Sequence, residues 1–167
     1  MLRHAMSKAF TDEEAKDVST LGRVIERAAP GEERPITAEG HRALLERRIE
    51  LAAERAKVAA TTGVEREGRL DALDHALALV AATIDSVRVE PDAPSDGTVR
   101  FGSTVALDWD DGRKTRLRLV GPDEADGKER VSVASPLARQ LLGRRRGETV
   151  EIERPRGSVE VTVREVT

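Results

Sequence analysis

The carboxylates around one glycine-bearing turn are the residues of this sequence best placed to do chemistry. Glu65 and Glu67 flank Arg66 in the run Thr-Thr-Gly-Val-Glu-Arg-Glu-Gly-Arg of residues 61–69, and Asp71 follows. Clustered carboxylate oxygens can hold Mg²⁺, which activates water for hydrolysis. The neighbouring arginines oppose this, because they neutralise the charge that would attract a cation. A solvated, charge-balanced turn is therefore favoured, and Glu65, Glu67 and Asp71 are only weak catalytic candidates.

A second candidate metal site lies just beyond this turn. Asp71 and Asp74 are one helical turn apart, and His75 is adjacent. Acidic residues in this position more often lie on the exposed face of a helix near its N-terminus, where they suit the helix dipole. That interpretation is preferred, so the sequence predicts no metal site and no cofactor.

Several other chemistries are excluded by residue type. The chain has no cysteine and only three histidines, at positions 4, 41 and 75. Disulfides, thiol nucleophiles and zinc-thiolate sites are thus absent, and an all-histidine metal site is disfavoured. Aromatic residues make up 2% of the chain, which argues against an aromatic-lined ligand pocket and a small-molecule substrate.

A run of three arginines, Arg144, Arg145 and Arg146, is a candidate binding site for nucleic acid or for an acidic partner surface. No aromatic residues interleave with them for base stacking. Partner contact and plain exposure are equally favoured.

Composition indicates one or two small domains without a membrane segment. The chain has 167 residues, of which 35% are charged, and its net charge is −3. No window is apolar enough for a signal peptide or a membrane span, so we expect a cytoplasmic protein with no membrane partner.

The spacing of apolar residues predicts an antiparallel helical hairpin over residues 36–89, preceded by a flexible arm over residues 1–35 that could hold one helical turn around residues 21–25. Thr37 is the predicted N-cap of the first helix, and Gly63 is predicted to end it in the left-handed C′ position. Two heptad seams are predicted to face each other. They are Leu45, Ile49, Ala52, Ala56 and Ala59 in the first helix, and Leu70, Leu73, Leu77, Val80, Ile84 and Val87 in the second.

After a predicted linker over residues 90–97, the apolar period changes to two. Residues 105–109 and 117–119 alternate around the turn Asp-Asp-Gly of 110–112, and further strands are predicted near 131–133, 150–152 and 159–163. Ser135 and Pro136 begin a short helix that Gly143 closes. Residues 98–167 are therefore predicted to form an antiparallel sheet with one helix, which makes the chain an α+β protein.

Three blocks of this C-terminal part resemble the GreA/GreB transcription elongation factors. They are residues 99–105 (Val-Arg-Phe-Gly-Ser-Thr-Val), 119–126 (Leu-Val-Gly-Pro-Asp-Glu-Ala-Asp) and 131–143 (Val-Ser-Val-Ala-Ser-Pro-Leu-Ala-Arg-Gln-Leu-Leu-Gly). Residues 6–11 (Met-Ser-Lys-Ala-Phe-Thr) and 36–40 (Ile-Thr-Ala-Glu-Gly) are also similar to starts of GreB-like members. The resemblance thus spans nearly the whole chain.

The resemblance implies a coiled-coil hairpin followed by an FKBP-like domain. In such factors the globular domain docks on the rim of the secondary channel of bacterial RNA polymerase, and the hairpin enters the channel near the RNA and DNA. Acidic residues at the tip help the polymerase hold a second Mg²⁺ that activates water to cleave backtracked RNA. The match makes the following residues partner-binding candidates beside the three arginines: Asp123, Glu124, Asp126, Ser135 and Pro136.

Two departures from the family pattern affect the expected activity. The acidic tip Gly-Asp-Leu-Ser-Glu-Asn-Ala-Glu-Tyr of the cleavage factors is missing, and the interval 37–89 is about two turns per arm shorter, or about 10 Å. We therefore expect a regulator that acts by occupying the channel or by competition, and that is not itself an enzyme. The alternatives are a cleavage-stimulating factor that uses tip carboxylates and shares Mg²⁺ with the polymerase, and a coiled-coil interaction module without polymerase binding. Prolyl isomerisation is rejected, because residues 98–167 offer only Phe101 and Trp109 as aromatic side chains.

Overall fold

The computed structural model of the chain describes residues 33–91, 93–94, 96–154 and 157–167. The predicted arm lies outside these residues except for its last three positions, 33–35. The described residues fall into two compact units, with the boundary between Glu90 and Pro91. None of the described helices is long and apolar enough to cross a membrane.

The first unit is a helical hairpin that begins and ends in short strands. Its elements are β1 (Arg34–Ile36), α1 (Ala38–Ala59), α2 (Arg66–Asp85) and β2 (Val87–Val89). The helices pack against each other in opposite directions, as the seams predicted. Thr37 caps α1 as predicted, because its Oγ1 accepts a hydrogen bond of 2.9 Å from the amide of Gly40.

The buried face of α1 differs from the predicted one. Leu51 and Val58 are 3% and 5% exposed, whereas Ile49 of the predicted seam is 66% exposed. Leu44, seven residues before Leu51, is half-buried. The seam therefore follows Leu44, Leu51 and Val58, because these branched side chains offer more apolar surface than a row of alanines.

The second helix follows its predicted seam from Leu70 to Ile84, whose apolar side chains are all half-buried. Val87 was wrongly assigned to this helix, since it lies in β2. Strand β2 pairs in parallel with β1, with Ile36 opposite Val89. The sequence did not predict this strand pair.

The second unit is a five-stranded sheet with one helix. Its elements are β3 (Thr104–Trp109), β4 (Lys114–Val120), β5 (Arg130–Ser132), α3 (Pro136–Leu141), β6 (Thr149–Arg154) and β7 (Gly157–Val166). The strand order is β5-β4-β3-β7-β6. The two predicted hairpins, β3 with β4 and β6 with β7, are both present.

The expectation of an antiparallel sheet is wrong at one edge, where β4 and β5 run parallel with Leu119 opposite Val131. The chain crosses back over residues 121–129 before β5 begins, so β5 has the same direction as β4. This crossover buries Val131 completely.

The core of the second unit lies between the sheet and α3. The inward positions of β3 are the predicted ones, and α3 contributes three buried residues. The core consists of Val99, Val105, Leu107, Trp109, Leu117, Leu119, Val131, Leu137, Ala138, Leu141, Val150, Ile152, Val159, Val161 and Val163.

Candidate functional site

The tip of the hairpin is a short turn closed by polar contacts to the end of α1. The hydroxyl of Thr61 donates to the carbonyl of Val58 at 2.7 Å, and a guanidinium nitrogen of Arg66 donates to the carbonyl of Ala59 at 3.1 Å. These contacts satisfy carbonyls that the helix end leaves open. Gly63 has a positive φ of 157°, but it lies beyond Ala60, the residue that caps the end of α1, so its predicted C′ position is wrong.

The three weak catalytic candidates are separate, exposed carboxylates. Glu65 precedes α2 and its side chain makes no capping hydrogen bond, while Glu67 and Asp71 lie on exposed positions of the helix. The tip has an open cleft. Among the described residues that line it, Glu67 is the one carboxylate and Arg66 is the one cation. Across the described ranges, no group of three histidine, aspartate or glutamate residues is placed to hold a metal ion.

The second candidate metal site is used for an interhelical ion pair instead. Asp74 accepts hydrogen bonds from two nitrogens of Arg55, one of them at 3.0 Å. The hydrogen bond from Arg55 holds the pKa of Asp74 below its ordinary value. Asp74 is thus engaged across the hairpin, while Asp71 and His75 are exposed.

An apolar residue that the sequence did not single out lies at the tip. Val64 is fully exposed, between Gly63 and Glu65. No periodic pattern marks it, because it stands alone in a charged turn. The tip therefore presents a valine and two threonines, Thr61 and Thr62, alongside its two glutamates.

In the second unit, the loop between β4 and β5, which contains Asp123, Glu124 and Asp126, is organised by its own carboxylates. Asp126 accepts from the amides of Lys128 and Arg130 at 2.8 and 2.9 Å, and from Nε of Arg130 at 3.2 Å. Glu124 accepts from the amide of Gly121 at 3.3 Å. Both candidate residues thus have a structural role within the loop. Asp123 is exposed.

The carboxyl group of Asp126 should make the loop sensitive to acid. Burial raises its pKa, but the hydrogen bonds from Arg130 and Lys128 outweigh this and lower the pKa below its ordinary value. A depressed pKa contributes stability above the unfolded-state pKa of about 3.9, and this contribution is lost as pH falls through the folded-state pKa.

We therefore expect Asp126→Asn to lower the free energy of unfolding by about 1 kcal/mol at pH 7, since the charged acceptor is lost. The difference from the unmodified chain should shrink as pH falls below about 4. Urea titrations followed by the fluorescence of Trp109 at pH 7, 5, 4 and 3 would measure it. A difference that stays constant over this range would contradict the role of the charge.

Ser135 and Pro136 have the structural positions that the sequence predicted. Ser135 is fully buried, and its Oγ accepts from the amide of Ala138 at 3.1 Å. Pro136 is exposed at the first position of α3. Gly143 closes the helix with a φ of 80°.

The three arginines after α3 form an exposed basic loop, residues 144–146, on a fixed backbone. The carbonyl of Arg144 accepts from Val99 at 2.7 Å, and the amide of Arg146 donates to Gly97 at 3.3 Å. The amide of Arg145 donates to the Glu148 carboxylate at 2.6 Å. None of the three guanidinium groups forms an ion pair with another residue in the described part of the chain.

Among the candidate residues, the guanidinium groups of the basic loop are therefore the charged groups that can most readily contact a partner. Within the described residues, the side chains of this loop form one hydrogen bond, from Nε of Arg144 to the carbonyl of Gln140 at 3.4 Å. By contrast, Asp126, Glu124 and Ser135 are bonded within their own loops.

The two aromatic residues of the second unit form no ligand pocket. Trp109 is buried and donates from its indole nitrogen to Thr115 at 2.8 Å, with the guanidinium of Arg113 4.8 Å from the ring centre. Phe101 is half-buried. Trp109 thus has a structural role in the core.

The fold and these surfaces define the described part of the second unit as a small α+β domain with charged surface loops. Residues 93–167 match the family model described as "Transcription elongation factor, GreA/GreB, C-term". This part of the chain belongs to the GreA/GreB family, and the resemblance stated from its motifs is confirmed.

Curated relatives support this membership. The transcription elongation factor GreA of Bradyrhizobium diazoefficiens is 43% identical over 94 residues, which are 55% of this chain and 56% of the relative. GreA of Neisseria meningitidis is 37% identical over 102 residues, 60% of this chain and 61% of the relative. The matches therefore span little more than half the length of these relatives.

Among solved structures, the chain is similar to GreA factor homolog 1 (Gfh1) of Thermus thermophilus. The TM-score is 0.38 and the identity 20%, over 81% of this chain and 99% of that chain. A GreA/GreB factor of Nitrosomonas europaea gives a TM-score of 0.40 and 22% identity, over 81% and 98%.

Proposed function

We propose that this chain is a regulator of transcription elongation that binds bacterial RNA polymerase. Its FKBP-like C-terminal domain docks on the rim of the secondary channel, and its hairpin, a short coiled coil, points into the channel. It acts by occupancy or by competition with cleavage factors, and has no catalytic activity or cofactor of its own. The membership of residues 93–167 in the GreA/GreB family supports the docking role.

The observation that carries the mechanism is the chemistry of the tip. Glu65 and Glu67 are separated by Arg66, and Val64, in the turn between the helices, is fully exposed. A carboxylate that completes a weak Mg²⁺ site must bring its oxygen to about 2 Å from the ion, with few competing cations nearby. A charge-balanced tip that exposes a valine is better suited to fill space than to hold a metal.

The length of the hairpin supports the same mechanism. Helices of 22 and 20 residues reach about 33 and 30 Å at 1.5 Å per residue. The seven-residue spacing of Leu44, Leu51 and Val58 is typical of a coiled coil. The hairpin is about 10 Å shorter than those of cleavage factors. This shortfall is several times the distance of about 2 Å between a carboxylate oxygen and Mg²⁺, so the tip does not reach the catalytic ion.

We expect the full chain to leave backtracked elongation complexes uncleaved, and to slow the cleavage stimulated by an active GreA factor in proportion to its concentration. Glu65→Gln and Glu67→Gln variants should inhibit as well as the unmodified chain, because the carboxylates play no part in occupancy. Transcript lengths on denaturing gels, with and without Mg²⁺, would measure both effects.

Two other results would contradict this mechanism. Mg²⁺-dependent cleavage that is lost in Glu65→Ala, Glu67→Ala or Asp71→Ala would identify a cleavage-stimulating factor. Neither cleavage nor competition, together with no binding to the polymerase, would identify an interaction module that acts elsewhere.

A further inference from the structure

One apolar side chain of the second unit is exposed beside the basic loop. Leu142 is 38% exposed, and among the described residues of this unit it is the one large apolar side chain that is exposed. It follows the end of α3 and precedes Arg144 by two residues. Because Nε of Arg144 donates back to the carbonyl of Gln140, its guanidinium group is held next to this end of the helix. We call Leu142 together with the basic loop the apolar-basic surface.

The backbone around Leu142 is fixed by hydrogen bonds. Its own amide donates to the carbonyl of Ala138 at 2.8 Å. The amide of Gly143 donates to the carbonyl of Val99 at 2.9 Å, and the amide of Val99 donates to the carbonyl of Arg144 at 2.7 Å. Val99 is a fully buried residue of the core. Leu142 is thus presented on an ordered backbone, so a contact through it costs little backbone entropy.

The chemistry of the apolar-basic surface favours a protein over a nucleic acid as its partner. Guanidinium groups pair with carboxylates as well as with phosphates. Leu142 distinguishes the two, because a phosphate backbone offers no apolar surface to pack against it. Single strands are bound largely by stacking on aromatic side chains, and neither Phe101 nor Trp109 is exposed.

A second copy of this chain is a poor partner for the same surface. A twofold dimer brings the same patch of both copies together. The two basic loops would then lie close to each other, and their like charges would oppose association. The partner that fits is therefore a different protein with carboxylates next to an apolar area.

We propose that Leu142 is the apolar anchor of a docking surface whose partner is an acidic surface of bacterial RNA polymerase. This inference rests on the function proposed above. The leucine packs into an apolar depression of the polymerase, and the arginines of the basic loop pair with carboxylates around it. An apolar centre within a polar rim is the usual arrangement of a specific protein interface.

The variant Leu142→Ala tests the anchor in the full chain. We expect it to bind bacterial core RNA polymerase about tenfold more weakly in biolayer interferometry, because the packed side chain is lost. This loss should be the same at low and high salt, since ions screen charges and not apolar contacts. Leu142→Met should bind nearly as well as the unmodified chain, because it keeps the apolar volume.

The matched control is Gln140→Ala, which truncates an exposed, uncharged neighbour in α3. It should bind like the unmodified chain. Urea unfolding followed by the fluorescence of Trp109 would check that each variant is folded. A loss of binding as large in Gln140→Ala as in Leu142→Ala would overturn the proposal, since truncating any side chain there would then suffice.

Other outcomes separate this inference from the proposed function. If the unmodified chain does not bind the polymerase, both are overturned. If it binds and Leu142→Ala binds equally well, only the inference is overturned. The inference alone also fails if a labelled oligonucleotide binds the unmodified chain and Leu142→Ala alike but not Arg145→Glu with Arg146→Glu, because the basic loop would then be a nucleic-acid site.

Discussion

Replacing Leu107 by alanine is expected to lower the free energy of unfolding of the second unit by about 3 kcal/mol. Leu107 is fully buried at the centre of β3, the middle strand of the sheet, and belongs to the same core cluster as residues of β4, β7 and α3. Its loss removes apolar contact and leaves a cavity that a sheet hydrogen-bonded on both sides cannot easily close.

Trp109 makes this measurement specific, because it is the only tryptophan of the chain and is buried in the same core. Urea unfolding followed by its fluorescence reports on the second unit rather than on the hairpin. Leu142→Ala is the matched control, since Leu142 is 38% exposed just after α3 and its loss should cost less than about 0.5 kcal/mol. Equal losses in the two variants would show that the core is not centred on β3.

The parts of the fold that the sequence predicted correctly have strong local signals. In β3, the large apolar residues Val105, Leu107 and Trp109 occupy every second position, as expected of a strand with one buried face. The caps Thr37 and Ser135 were identified because their hydroxyls satisfy amides only three residues away. Such signals depend on a few neighbouring residues, so one sequence suffices to find them.

The buried side of α1 shows where local signals fail. Leu44, Leu51 and Val58 follow the same seven-residue spacing as Leu45, Ala52 and Ala59, one position along. Both sets fit a heptad, and the choice between them depends on the surface of the partner helix. Strands β1 and β2 were missed for a related reason, since each has only three residues and their pairing joins positions about 50 residues apart.

For the candidate site, the sequence identified the charged residues. It could not show which of their charged groups are engaged within the protein and which can contact a partner. The sequence predicted no strand or helix over Asp126 or over the three arginines, and the structure has both in loops. It could not show that the Asp126 carboxylate accepts hydrogen bonds from amides of its own loop. Nor could it show that the guanidinium groups of Arg145 and Arg146 form no ion pair with a carboxylate of the described residues. The surroundings of Asp126 depend on the crossover from β4 to β5, which the sequence did not predict.

Because the guanidinium groups of the basic loop can contact a partner, we expect the largest effect on polymerase binding from substitutions there. The double variant Arg145→Glu with Arg146→Glu should weaken binding to bacterial core RNA polymerase about 100-fold at low salt, because like charges across an interface cost several kcal/mol. The fold should be unaffected, since the backbone contacts of the basic loop use main-chain atoms of these two residues. The loss should shrink as salt is raised, since exposed charges are screened over about 8 Å at 0.15 M ionic strength.

A matched control separates the position of the charge from its amount. Lys114→Glu with Arg116→Glu changes the net charge equally, at two exposed residues of β4. Binding measured by biolayer interferometry at several salt concentrations should fall far more for the variant in the basic loop than for this control. Equal losses would mean that the polymerase responds only to overall charge, and no loss in either variant would mean that the basic loop is merely solvated. A selective loss in the basic loop would instead show that the partner surface facing it is acidic.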